Sequence, residues 1–150
     1  MSQSTRSRSR SAARLAAVQA LYQREMEQTP IPSLLHEFHH HRIGATIEDV
    51  EYEEAEVDLF DDLVKGADAR REELDALIAA KLASGWSLDR LDRPMRAILR
   101  AAVYELVARP DVARATVISE YVDVAKAFYD KTETAFVNGL LDAVAKDVRH

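Results

Sequence analysis

Apolar residues recur every three or four positions along most of this chain, the spacing that brings them to one face of an α-helix. Seven stretches show this spacing, and residues typical of helix ends separate them. The predicted helices run from Ser11 to before Thr29, from Ile31 to His41, over Val57–Ala67, over Leu74–Leu82, from Pro94 to Arg109, from Ala115 to Phe128, and from Thr132 to about Val144. We therefore predict an all-α fold of about seven helices.

Composition supports one helical domain. Hydrophobic residues make up 47% of the 150 residues, enough for a core, whereas only four glycines and four prolines are available for turns. We expect a single domain over residues 11–150, with Ser11 and Thr132 as the N-caps of its first and last helices. Residues 1–10 lack any apolar residue after the initiator Met1, so we expect them to form a flexible arm.

Charge is divided unevenly along the chain. Residues 1–24 contain five arginines and no acidic residue, whereas the rest carries 15 basic and 26 acidic residues, a net charge of −11. Arginines on a mobile segment can pair with phosphates and stack on unpaired bases. The arm is therefore either an RNA-binding segment or a solvated tail. An Arg- and Ser-rich, acid-free start is also typical of a mitochondrial targeting peptide.

Several classes of function are disfavoured. The sequence has no cysteine, so disulfides and thiolate metal sites are excluded and a cytoplasmic location fits. No apolar run is long enough to span a bilayer. No glycine-rich phosphate loop or nucleophile motif is present, so we expect neither an enzyme nor a cofactor. His36, His39, His40 and His41 have metal-like spacings, but no second cluster completes a site and we expect no metal.

Four segments together resemble the NusB family of transcription antitermination factors. Residues 96–106 resemble its ILRxAxYEL signature, and residues 135–142, which read AFVNGLLD, resemble its KFVNGVLD. Residues 109–126 lie between these segments as in the family, and Ala13-Arg14 with residues 18–23, VQALYQ, resemble its opening. The order and spacing agree over nearly the whole chain, although residues 29–56 have no convincing match.

The resemblance implies two small three-helix bundles and a specific function. It implies binding to boxA, a short single-stranded element in the leader of ribosomal RNA transcripts, together with the ribosomal protein NusE. It further implies a complex with other Nus factors on RNA polymerase, no membrane contact, and a homodimer as one state of the free protein. Two alternatives stay open: an adaptor that binds proteins without RNA, and a detached NusB-like domain of the kind fused to some RNA cytosine methyltransferases.

By the same resemblance, arginines of the arm are expected to contact RNA. Arg10 and Arg14 are the best-placed contacts, followed by Arg6 and Arg8. Relatives often carry consecutive arginines here, whereas this chain alternates Ser and Arg, so the number of phosphate contacts is left open.

Further RNA contacts are expected near the last helix. Phe136 stacks on a base or else packs in the core, and Thr132 stands where the family carries an acidic residue that weakens RNA binding. Arg96 extends the basic track, whereas for Arg100 we favour a structural ion pair with a carboxylate such as Glu120.

The surface for NusE is expected around Tyr22 and Met95. An exposed tyrosine suits the edge of an interface, although ordinary packing between helices is the alternative. Relatives often have Glu at the Met95 position, so a salt bridge of the family is absent here. The nine acidic residues between Glu48 and Asp62 either attract a basic partner or form a solvated helix flank.

Overall fold

The described part of the chain is built from α-helices. The computed structural model describes residues 2–40 and 54–149, with side chains for residues 7–40 and 56–149. These ranges contain seven α-helices and no strand: α1 (Ser2–Glu27), α2 (Ile31–Phe38), α3 (Glu54–Ala69), α4 (Arg71–Ala79), α5 (Arg93–Ala108), α6 (Arg114–Lys126) and α7 (Lys131–Val148), with a 3-10 turn at Leu88–Arg90. The all-α prediction is confirmed. The predictions for His41 and for residues 48–53 lie outside the described residues.

The predicted start of the first helix is wrong. α1 begins at Ser2 rather than at Ser11. The Ser11 hydroxyl lies inside the helix, 3.1 Å from the carbonyl oxygen of Ser7, so it caps no helix end. Extending a helix is less costly than nucleating one, which lets α1 continue through polar residues that bury no apolar surface. The arm is therefore the first part of α1, and its flexibility in solution stays a prediction.

The last helix begins near Thr132 as predicted, but the predicted N-cap is wrong. α7 begins at Lys131, and Asp130 before it has an extended backbone. The carbonyl oxygen of Asp130 accepts a hydrogen bond from the backbone N–H of Thr134 at 3.1 Å, which closes the first turn. Thr132 is therefore inside the first turn instead of being its N-cap.

The helices form two bundles of three. α1, α2 and α3 pack together as the first bundle, and α5, α6 and α7 as the second. α1 also packs along α5 and α6, and α4 lies on α5 with further contacts to α3 and α7. This arrangement confirms the expected pair of three-helix bundles and makes α1 the helix that joins them.

Helix directions define two ends of the molecule. Arg14, in the first half of α1, bonds Glu105 near the end of α5, whereas Glu25 near the end of α1 bonds Arg96 near the start of α5. These contacts show that α1 and α5 run antiparallel. The start of α1 therefore lies at the end of the molecule where α5 finishes.

In the second bundle, α7 runs in the same direction as α5. The Tyr129 hydroxyl, just before α7, donates to Asp92, just before α5, at 2.6 Å. At the other end, Arg149 after α7 donates to the carbonyl oxygen of Leu106 at 2.9 Å. α5 and α7 are therefore parallel, and both begin at what we call the Met95 end.

α5 is the central helix. Eleven of its residues are buried, on nearly all of its faces. Two of them are charged, Arg100 and Glu105, which are 8% and 0% exposed. Buried charges are tolerated only with partners inside the protein, so the burial of α5 dictates an internal ion-pair network.

A single glycine permits the close approach of α3 and α5. A Cβ atom at Gly66 would lie 2.0 Å from Cζ of Tyr104 on α5. The Tyr104 ring is held there because its hydroxyl donates to Asp62 at 2.6 Å. Burial first, and then this hydrogen bond, raises the pKa of Tyr104 to about 12.

Candidate nucleic-acid and partner interface

Arg14 lies in a buried ion-pair network between α1, α5 and α6. Its Nη2 is 2.7 Å from Oε2 of Glu105, and its Nη1 is 2.7 Å from Oε1 of Glu120. The Tyr121 hydroxyl donates to Oε1 of Glu105 at 2.8 Å, and the Ser11 hydroxyl donates to Glu120 at 2.6 Å. Arg14 and Glu105 are 3% and 0% exposed. The network therefore fastens α1 to the second bundle.

The charge states in this network are fixed by its geometry. Burial alone would lower the pKa of Arg14, but the hydrogen bonds and charge of Glu105 raise it above its usual value. Burial and then the charge of Glu105 raise the pKa of Tyr121 well above its usual value. Arg14 is thus a cation enclosed by carboxylates. This geometry argues against its predicted RNA contact, because all three nitrogen atoms of its guanidinium already donate to carboxylates and the side chain is buried.

A second network holds Arg96 and Arg100 at the Met95 end. The two guanidinium groups share the carboxylate of Glu25, and Arg100 Nε donates to Asp75 at 2.7 Å. Burial would raise the pKa of Glu25, but the bond and charge of Arg96 lower it below its usual value. The structural role predicted for Arg100 agrees with this geometry, but the partner predicted for it, Glu120, is wrong because Glu120 pairs with Arg14.

Arg96 also fixes the loop before α5. Its side chain is 13% exposed, and Nη1 donates to the carbonyl oxygens of Leu88 and Leu91 at 3.2 and 2.6 Å. These bonds hold the 3-10 turn against α5. Arg96 is therefore occupied by protein partners, which disfavours the predicted contact with RNA.

The arginines of the arm differ from the ion-paired Arg14 and Arg96. Arg8 is exposed and Arg10 is half-buried, and neither has an ion-pair partner among the described residues. The Nε atom of Arg10 is buried without a hydrogen-bond acceptor. The side chain of Arg6 lies outside the described residues. Arg8 and Arg10 are thus the predicted RNA-binding arginines that carry positive charge without compensation.

Thr132 and Phe136 line a groove of about 580 Å³ at the Met95 end, which we call the Trp86 groove. Its lining residues are Leu82, Ala83, Trp86, Arg90, Leu91, Asp92, Met95, Tyr129, Thr132, Glu133 and Phe136. Thr132 is exposed and Phe136 is half-buried against the core, so the phenylalanine has both an outer surface and a packing role. Met95 is 4% exposed and forms part of the groove, so little of its side chain is open to a protein partner.

Tyr22 lines a second groove, of about 530 Å³, which we call the α1 groove. Tyr22, Met26 and Phe128 are large apolar residues that are 37%, 45% and 43% exposed, and all three line it. Pro94, at the start of α5, also lines this groove and neighbours the Met95 of the Trp86 groove. The two grooves therefore adjoin each other at the same end of the molecule.

The arm and the Trp86 groove lie far apart. At about 1.5 Å per residue, α5 rises about 15 Å between Glu105 and Met95, and α1 rises about 9 Å between Arg14 and Arg8. Arg14 bonds Glu105, so the arm and the groove are separated by about 24 Å along the helices. The structure brings Thr132 and Phe136 together and leaves the arginines of the arm at the opposite end.

The histidines considered for a metal site lie in α2 and directly after it. His36 and His40 form a ring pair with centroids 4.2 Å apart, and Nε2 of His39 lies 2.6 Å from Oδ1 of Asp61. In the described ranges, no group of three His, Asp or Glu residues could hold a metal ion. The described helices are also too short or too polar to cross a membrane.

Sequence reasoning missed Glu105 and Trp86. Glu105 interrupts the apolar stripe of α5, and Arg14 likewise stands among buried residues of α1, so two opposite charges on buried faces were a signal for a pair. Trp86 lies in a loop, where periodicity gives no indication of exposure. It is 56% exposed, more than any other exposed large hydrophobic residue of the described chain.

Comparison with known proteins connects this geometry to one family. The model of the NusB family matches residues 11–146. The transcription antitermination proteins NusB of Sphingopyxis alaskensis and Novosphingobium aromaticivorans are 67% and 68% identical, over 96% and 95% of this chain and 97% and 96% of their own lengths.

Solved structures agree with these relatives. A chain in the crystal structure of the antitermination factors NusB and NusE in complex with dsRNA superposes with a TM-score of 0.79 and is 28% identical, covering 93% of this chain and 98% of that one. The family match, the close relatives and the shared pair of bundles lead to one conclusion: this chain belongs to the NusB family.

Proposed function

We propose that this protein is a transcription antitermination factor that binds boxA-type single-stranded RNA in ribosomal RNA leaders together with NusE. The observation that carries the proposal is the state of the arginines. Arg14, Arg96 and Arg100 are neutralised by internal carboxylates, whereas Arg8 and Arg10 have no ion-pair partner among the described residues. Arg8 and Arg10 therefore place two uncompensated charges on one short segment, where a phosphate backbone supplies the partners.

The arm supplies affinity more than sequence discrimination. Arginine pairs with phosphate through two parallel N–H bonds, whichever base is attached. If Arg6, Arg8 and Arg10 each neutralise one phosphate, log affinity falls against log salt with a slope of about −2 for a single strand. We infer that residues 1–10 act as this arm and residues 11–150 as the body that carries it.

The Met95 end supplies the second contact. The Trp86 groove offers Phe136 to the RNA, and Thr132 adds no negative charge to that of Asp92 and Glu133 in its lining. At about 3.4 Å per stacked nucleotide, the separation of about 24 Å corresponds to roughly seven nucleotides. A boxA-type strand that keeps its bases stacked therefore reaches both places only above this length.

The α1 groove is the proposed surface for NusE. Tyr22, Met26 and Phe128 present apolar area that a protein partner would cover. Because this groove adjoins the Trp86 groove, NusE and RNA would lie side by side, which accounts for a shared complex with the other Nus factors on RNA polymerase. Transcription takes place in the cytoplasm of bacteria, so we place the protein there. A homodimer through the same groove is a competing state of the free protein.

Two other functions were left open by the sequence: a protein adaptor without RNA binding, and a methyltransferase-type domain. The observation in favour of an adaptor without RNA binding is the exposed α1 groove, which suits a protein partner. A methyltransferase-type domain is disfavoured, because the relative from Sphingopyxis alaskensis is matched over 97% of its own length and has no room for a catalytic region. The relatives are antitermination proteins rather than enzymes, as the sequence led us to expect.

Fluorescence anisotropy with labelled boxA-type RNA tests the proposal. We expect binding that NusE strengthens, a preference for the single strand over its duplex, and a sharp loss of affinity for strands shorter than roughly seven nucleotides. Arg8→Ala with Arg10→Ala should weaken binding and flatten the salt dependence. The matched control, Lys65→Ala with Arg71→Ala, removes two exposed charges elsewhere and should leave both unchanged.

Two results would contradict this proposal in different ways. Equal affinity for strands of every length would remove the two-site arrangement. Binding of NusE with no affinity for any RNA would leave the adaptor as the function of this protein.

A further inference from the structure

We propose that the Trp86 groove holds one unpaired base of the bound RNA, stacked on the indole of Trp86. This inference rests on the proposed function and names a residue for it that lies outside the four motif segments described in the sequence. It depends on three features: an exposed tryptophan on a hydrogen-bonded loop, the aromatic and apolar walls of the groove, and a lining without net positive charge.

The loop that carries Trp86 is fixed by hydrogen bonds. Gly85 has φ +89°, a left-handed conformation that favours glycine, and the N–H of Trp86 donates to the carbonyl oxygen of Ala83 at 3.0 Å. Arg90 Nη1 donates to the carbonyl oxygen of Gly85 at 2.7 Å, and the Arg90 guanidinium lies 5.6 Å from the centre of the Trp86 ring. The ring is therefore presented in a defined position at little further entropic cost on binding.

The ring stays open to solvent despite these contacts. Trp86 remains 56% exposed, so a large flat surface faces water on a loop whose backbone is hydrogen-bonded. Stacking between a base and an aromatic side chain is the interaction that single-stranded nucleic acid makes most readily, because every base has a π-face.

The chemistry of the groove favours a base over a phosphate. Asp92 and Glu133 outnumber Arg90, so the lining carries a net charge of −1 and no positive excess for a phosphate group. Leu91 and Phe136 supply apolar walls, and the Thr132 hydroxyl and Glu133 carboxylate are the polar groups available to the edge of a base. A volume of about 580 Å³ accommodates a planar ring system. The groove also continues from Thr132 and Phe136, the residues at which RNA is expected.

Trp86 is the only tryptophan of the chain, so its own fluorescence reports the contact. The unlabelled full-length protein is titrated with a boxA-type strand of about twelve nucleotides, which exceeds the roughly seven needed to span both sites. We expect strong quenching of the indole emission and less access for acrylamide. Binding is followed in parallel by anisotropy of labelled RNA.

Substitutions add an independent measurement. Trp86→Leu should weaken RNA binding about 5- to 150-fold, the range for the loss of one stacked base, whereas Trp86→Phe should retain most of the affinity. Lys65→Ala, which changes an exposed residue of α3 outside both grooves, is the control and should leave RNA affinity unchanged. Circular dichroism verifies that each variant is folded.

The outcomes separate this inference from the function on which it rests. RNA binding by anisotropy with unchanged tryptophan emission overturns the stacking proposal and leaves the RNA-binding function intact. Emission that responds to NusE or to self-association, but not to RNA, assigns the groove to a protein partner and also overturns it. Failure to bind RNA even with NusE removes the proposed function and the base site together.

Discussion

The ion pair between Arg14 and Glu105 gives a prediction whose magnitude follows from burial. Both side chains are nearly inaccessible, and Arg14→Leu would leave Glu105 with the Tyr121 hydroxyl as its remaining hydrogen-bond partner among the described residues. Removing one partner of a buried pair costs about 3–5 kcal/mol, because the other charge stays buried. The free energy of unfolding of a typical domain is about 5–15 kcal/mol, so this single change removes a large share of it.

Urea denaturation followed by circular dichroism at neutral pH measures the effect. The control is Arg8→Leu, which removes an exposed arginine from the same helix and should change the free energy of unfolding by less than about 0.5 kcal/mol. Combining Arg14→Leu with Glu105→Leu removes both charges. This double variant should lose about 1–3 kcal/mol, mainly because the Tyr121 hydroxyl becomes unpaired.

Two results would refute this reasoning. A loss below about 1 kcal/mol for Arg14→Leu means that its partner is not a buried charge. A double variant as unstable as the sum of the single variants means that the two residues do not interact. In either case Arg14 would be free to contact RNA, as the sequence first suggested.

Three further predictions concern packing and pH. Gly66→Ala should lower the free energy of unfolding by about 1–3 kcal/mol, measured by urea titration, since its Cβ overlaps the Tyr104 ring; an unchanged midpoint would contradict the packing of α3 on α5. The pKa of Tyr104 is raised from 10.0 to about 12. The neutral hydroxyl therefore contributes fully to the free energy of unfolding below pH 10, and this contribution is lost as pH rises towards 12. Tyr104→Phe should show a weaker alkaline decline in the free energy of unfolding, and an identical decline would count against the assignment. The pKa of Glu25 is lowered from 4.5. Its carboxylate therefore contributes to the free energy of unfolding above pH 4.5, and this contribution is lost as pH falls through the pKa of the folded protein. Thermal melts in acid should therefore show a steeper loss for the natural protein than for Glu25→Gln, and parallel curves would exclude the pairing with Arg96.

The sequence predicted the helices because burial of apolar residues at helical spacing is a local signal. It also led to Thr132 and Phe136, which the structure places in one groove. It could not give the role of Arg14, because the partner Glu105 lies 91 residues away and the choice between phosphate and carboxylate depends on tertiary packing. The start of α1 was missed for the opposite reason: its first residues carry no apolar pattern at all.

Beneath the first turns of α1 lies a small group of polar atoms that have no hydrogen-bond partner. Ser9 and Glu56 are fully buried, yet the Ser9 hydroxyl and both carboxylate oxygens of Glu56 are unpaired. Peeling residues 2–10 away from α3 would let water reach these atoms, and this segment contains no apolar residue whose burial would be lost. The N-terminal turns can thus unwind toward a transcript while the rest of the molecule stays folded, a change that would appear as rapid amide exchange confined to those turns.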